Sequence, residues 1–202
     1  MDTEFLDWAL AAFSGSVAAD ELYDGPFCVL SAVDNRCDKR LLYDVLDHDP
    51  THEDIRAFLG RLKTALAARD LTLLGMTTDG SPLYPTPLAE VFSGVPHQRC
   101  QFHVVQDIVK AVVKAVSSER KRLAAQQPTL PQGRPSTKAA KQAARTQKRL
   151  AAQRAALFAS RYLFVQRHLN TTERKTLRRV SRGLPQLQAL RAIMEQVYAL
   201  FD

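Results

Sequence analysis

The chain has 202 residues, 46% apolar and 24% charged, with a net charge of +7, which suits one folded domain, or one domain plus an appendage. No apolar run approaches the roughly eighteen residues of a membrane span, and the acidic start Met1-Asp2-Thr3-Glu4 does not read as a secretory signal, so no membrane association and a cytoplasmic location are expected. The charge is sharply divided: residues 1–103 carry 8 Lys/Arg against 16 Asp/Glu, and residues 104–202 carry 20 against 5, which points to a polyanionic partner for the second half.

Residues 1–13 read as an amphipathic lead-in helix. Val17 to Tyr23, Phe27 to Val33 and Leu41 to Leu46 read as strands of an antiparallel meander, separated by Asp24-Gly25-Pro26 and Asp34-Asn35-Arg36. Thr51-His52-Glu53-Asp54 has the pattern of a capping box, and Ile55, Phe58, Leu59, Leu62 and Leu66 fall on one face of the helix that follows. Leu71 to Met76 reads as a buried strand, Pro87 to Phe92 as a short helix, and His97 to His103 as a fifth strand turning into a helix. That helix carries Val104, Val105, Ile108, Val109, Val112, Val113 and Val116 as a stripe whose periodicity outweighs valine's strand preference.

Gln126 to Pro135 breaks the pattern with three prolines and a glycine, as a linker would. Thr137 then offers a cap to a basic, alanine-rich helix. Leu187, Leu190, Met194, Val197 and Phe201 stripe a last helix, Gln186 to Phe201. The expected domains are a lead-in at 1–13, a core at 14–126, a linker at 127–137 and a basic helical region at 138–202. Cys28, Cys37 and Cys100 form no CxxC pair and read as free thiols.

Two acids stand out. Asp79, in Gly75-Met76-Thr77-Thr78-Asp79-Gly80-Ser81-Pro82-Leu83-Tyr84-Pro85, follows an apolar run and enters a turn, and Asp20 ends the small-residue strand Ser16 to Ala19. An acid at the carboxyl end of a strand sits where α/β sheets bind ligands, although Asp79-Gly80 alone is also a turn signal. Two such acids on neighbouring strands can share a metal ion. Glu21 and Asp24 lie close by. In a regular strand Glu21 faces away from Asp20, so it ranks below the two aspartates.

Thr78-Asp79-Gly80-Ser81-Pro82-Leu83-Tyr84-Pro85, followed by His97-Gln98-Arg99-Cys100-Gln101-Phe102-His103, resembles the central region of DDE-type insertion-sequence transposases and their Mutator-like relatives. The resemblance implies a ribonuclease-H-like core, a mixed sheet flanked by helices, interrupted by an all-helical basic insertion. It also implies that Asp20 and Asp79 are the first two catalytic acids, that Cys100 and His103 form the Cys-x-x-His signature, that DNA is the partner, and that the full-length protein is a homo-oligomer.

The family's third acid, a Glu in an Asn-rich context, has no counterpart. Glu195 lies among apolar neighbours and matches poorly, so a truncated transposase is expected.

Strand cleavage and transfer need an activated water or 3′-hydroxyl and a stabilised leaving oxygen, which two Mg²⁺ ions about 4 Å apart provide. Asp20 and Asp79 would hold them, as an incomplete site giving slight or no catalysis alone. Zinc at Cys100 and His103 lacks a second ligand pair. Lys138, Lys141, Arg145, Lys148, Arg149, Arg174, Lys175, Arg178 and Arg179 are the expected DNA-phosphate contacts, with a solvated helical surface as the plain alternative. A non-catalytic DNA-binding remnant and a different ribonuclease-H-like nuclease are the competing functions.

Overall fold

A computed structural model describes residues 3–201 except 131, 132 and 134. Pro131, Gln132 and Arg134 of the expected linker, Met1 and Asp2 of the lead-in, and Asp202 lie outside the described residues. The chain forms two compact units, residues 1–104 and residues 105–202. The first is α/β and the second is helical.

In the first unit, helix α1 (Thr3–Leu10) precedes the meander β1 (Ser16–Asp24), β2 (Phe27–Asp34) and β3 (Lys39–Leu46), then α2 (His52–Ala67), β4 (Gly75–Thr78), α3 (Pro85–Val91) and β5 (His97–Arg99). The five strands form one mixed sheet in the order β3-β2-β1-β4-β5. The first three pair antiparallel, while β4 runs parallel to both β1 and β5.

The capping box of α2 is present: the Thr51 hydroxyl accepts from the Asp54 N–H, and the Asp54 carboxylate accepts from the Thr51 N–H. The predicted stripe of α2 is buried, and it packs with Val17, Ala19, Leu30, Ala32 and Met76 of the sheet in one apolar core. The Asp34 turn is held from within. Its buried carboxylate accepts from the Ser14 N–H and hydroxyl and from the N–H groups of Arg36 and Cys37. Burial alone would raise this carboxyl's pKa, but the four donors outweigh it and hold the group below its ordinary value.

One strand differs from expectation. Leu71 to Leu74 is an approach and not a strand, and β4 begins only at Gly75. The Leu71 N–H returns to Leu66 at the end of α2, and the Leu74 N–H reaches the Gly15 carbonyl, ahead of the β1–β4 pairing that begins at Ser16 and Gly75. Leu73 is buried, while Leu74 is 65% exposed.

The second unit contains α4 (Gln101–Ala125) from residue 105 onward, α5 (Lys138–Ala159), a 3-10 turn at Arg161–Phe164, α6 (Thr171–Val180) and α7 (Pro185–Ala199). The valine stripe does form a helix, and Val112, Val116 and Leu123 pack with Leu150, Leu157, Phe164, Leu177, Leu187 and Met194. The 127–137 segment therefore lies inside this unit and joins helices that share one core. Thr137 caps α5 through the Ala140 N–H. Asn170 and Glu173 make a second capping box on α6, which the sequence reading did not single out.

On α7 the buried stripe also carries Arg191. Its guanidinium donates to the carbonyls of Leu163, Phe164 and Gln166 and to Glu195. Glu195 is thus the ion-pair partner of a structural arginine.

Candidate metal centre

The last residues paired between β1 and β4 are Ala19 and Thr78, so Asp20 and Asp79 come next on two adjacent parallel strands. Parallel neighbours in register point to the same side of a sheet, and the two carboxylates therefore converge. β4 stops at Thr78, whereas β1 continues along β2 to Asp24. Beyond Ala19, one flank of β1 is open.

The turn after Asp79 is tightly determined. Asp79 Oδ1 accepts from the Ser81 N–H at 2.7 Å, and the Arg99 Nε–H donates to the Asp79 carbonyl at 3.3 Å. Gly80 has φ +101°, and a Cβ there would stand 2.1 Å from Arg99 Nε; only glycine fits both the backbone and the space. Cys100 continues the β4–β5 ladder, its N–H donating to the Thr78 carbonyl at 2.6 Å. On the other strand, Asp20 Oδ1 accepts from the Glu21 N–H at 3.0 Å.

The structure adds a third acid to this pair. One carboxylate oxygen from each of Asp20, Glu21 and Asp79 lies within 4.8 Å of the other two. Glu21 ranked below the aspartates because a regular strand turns it to the face opposite Asp20, yet its carboxylate still comes within reach of both, and Asp20 and Glu21 are both half-buried.

Convergence has an electrostatic cost that falls on Glu21. Burial first, then the charges of Asp79 and Asp20, push its carboxyl up to about 7. The nearby Tyr84 hydroxyl pulls the other way, yet Glu21 Oε1 and the Tyr84 hydroxyl are both buried and neither completes a hydrogen bond. Tyr84 is wholly buried. Burial, followed by the charges of Glu21, Asp79 and Asp20, holds its phenol well above the ordinary value. The sequence signal for Tyr84 was its place between Leu83 and Pro85 in the Asp79 stretch, but nothing in the spacing assigned it a task.

An all-oxygen donor set of this kind suits a hard divalent cation such as Mg²⁺ or Mn²⁺, and the unsatisfied Glu21 Oε1 is consistent with it. Cys100 and His103 stand at the start of α4. His103 is half-buried with Nδ1 unpartnered, its ring edge-on to Phe102. Among the described residues, neither joins a group of three metal-ligating side chains.

In the helical unit, Lys138, Lys141, Arg145, Lys148, Arg149, Arg174, Lys175, Arg178 and Arg179 are all exposed. Arg149 and Arg179 are brought together in a groove of about 490 Å³, where Gln153 and Arg182 join them. Arg174 and Arg178 line a separate groove of about 560 Å³ with Arg191 and Glu195. Among the described residues, no helix is long and apolar enough to cross a membrane. Comparison with known proteins returns no matching family model and no matching curated protein.

Proposed function

We propose that this chain carries the first two acids of a DDE-type insertion-sequence transposase, with a ribonuclease-H-like core serving metal-dependent DNA strand cleavage and transfer. The observation that carries the reading is the position of Asp20 and Asp79, side by side just past the paired ends of β1 and β4 in a sheet ordered β3-β2-β1-β4-β5. Divalent ions bound there would activate the attacking hydroxyl and stabilise the leaving oxygen. The chain's own part is to hold the carboxylates: the β1–β4 register aligns them, and the Ser81 N–H orients the Asp79 carboxylate. The exposed cations of the helical unit supply phosphate contacts to DNA, without base-edge readout.

The test is nicking of supercoiled DNA with Mg²⁺ or Mn²⁺ by the intact chain, beside Asp79→Ala and Asp20→Ala. Slow, cation-dependent nicking that either substitution reduces at least about hundredfold supports the reading. Nicking that survives both substitutions, or cleavage confined to RNA, overturns it.

A second reading is DNA binding without cleavage. It is favoured by Glu195, the poor match for the family's third acid, which is engaged with Arg191 at 2.9 Å. DNA affinity that is indifferent to divalent cations, with no nicking, selects it.

A further inference from the structure

Asp20 and Asp79 leave a cation short of protein ligands, and the structure brings two further groups to them that the resemblance does not assign. Glu21 presents an oxygen within 4.8 Å of both aspartates. Around a six-coordinate Mg²⁺ neighbouring ligand oxygens stand about 3 Å apart and opposite ones about 4.2 Å, so the three oxygens would draw closer by side-chain rotation to share one ion. The Tyr84 hydroxyl, behind Glu21, is the independent sign that the cluster is built for a ligand. It is wholly buried, and its oxygen completes no hydrogen bond, although Glu21 is near enough to act on it. A buried hydroxyl costs free energy until it is paired, and the Glu21 carboxylate is the group at hand.

We propose that Glu21 is a third ligand to a divalent cation held by Asp20 and Asp79, and that Tyr84 is the positioning residue that holds Glu21 in place. The site is then complete enough to bind one ion using this chain alone. Tyr84 acts as partners behind metal ligands generally do, by donating to the ligand carboxylate and fixing which oxygen faces the metal. The inference rests on the reading of Asp20 and Asp79 as metal ligands and goes further by naming the acid that completes the set.

The experiment is Mn²⁺ binding to the intact chain, counted by the electron paramagnetic resonance of free Mn²⁺. Terbium emission under tyrosine excitation is measured in parallel. The expected result is one ion per chain, a loss of about tenfold in affinity for Tyr84→Phe, a larger loss for Glu21→Gln, and no binding by Asp79→Asn. Sensitised terbium emission should fall in Tyr84→Phe even at concentrations that restore occupancy, which places the phenol beside the ion, and Tyr84→Phe should cost no further affinity once Glu21→Gln is present, a coupling that a merely structural tyrosine would not show. Glu21→Asp, which keeps the charge and shortens the reach, should also weaken binding, and it serves if Glu21→Gln does not fold.

If Glu21→Gln and Glu21→Asp bind Mn²⁺ as tightly as the parent chain while Asp79→Asn does not bind, the inference falls and the two-aspartate reading stands. If Asp79→Asn binds as well as the parent, or the parent binds no Mn²⁺, both fall.

Discussion

Two clusters, one in each unit, treat charge in opposite ways. In the sheet unit, the half-buried Asp20, Glu21 and Asp79 are drawn together, and burial first, then the charges of Asp79 and Asp20, raise the Glu21 carboxyl. In the helical unit, Glu119 pairs with Arg122, and Arg191 spends its donors on three carbonyls and Glu195. Paired ions of the second kind hold a fold together. Like charges gathered together add nothing to a fold's stability, which is why such a cluster is a candidate site.

This contrast can be broken by substitution. Arg191→Met should give the largest effect, since it strands buried carbonyls, and a loss of about 3 kcal/mol in urea unfolding is expected. A loss below about 1 kcal/mol would mean that the helical unit does not depend on its paired charge.

Glu21→Gln should act with the opposite sign. The folded chain keeps a proton on Glu21 between its ordinary value of 4.5 and about 7, whereas the unfolded chain releases it. Stability of the metal-free protein therefore falls as pH rises through that window, and levels off above it. Glu21→Gln should remove this decline, stabilising the chain at pH 8 and leaving it nearly unchanged at pH 4. Thermal melts across that range, without divalent cations, measure it; a decline that persists in the variant would place its source elsewhere.

The smallest effect belongs to the exposed cations. Arg149→Ala and Arg179→Ala should each lower the salt slope of DNA binding by about one, by the same amount for unrelated sequences and with no change in stability. A sequence-dependent loss would make their groove a reader of bases and not of phosphates.

What the sequence made legible follows from periodicity. The α2 stripe, the Thr51 and Thr137 caps and the meander depend on local spacing, whereas the pairing of Asp20 with Asp79 came from their like places at strand ends and from the family resemblance. The misread features depend on where partners stop. Leu71 to Leu74 looks like strand by composition, but Leu66 takes the Leu71 donor and Gly15 the Leu74 donor. Glu21 ranked low because alternation turns it to the face opposite Asp20, and the convergence of its carboxylate with both aspartates is not visible in β1's own residues. Arg191 lies in an apolar stripe, and only the carbonyls brought near by the Arg161–Phe164 turn explain it.

The parallel register of β1 and β4 also governs which changes of length the molecule can survive. Shifting either strand by one residue moves every side chain to the other face of the sheet. One residue gained or lost between Ser16 and Asp20, or between Gly75 and Asp79, would part the carboxylates while leaving each of them present. The site is therefore more fragile to insertion and deletion than its chemistry suggests, and a sequence that keeps both aspartates but alters either short interval should be read as having lost the centre.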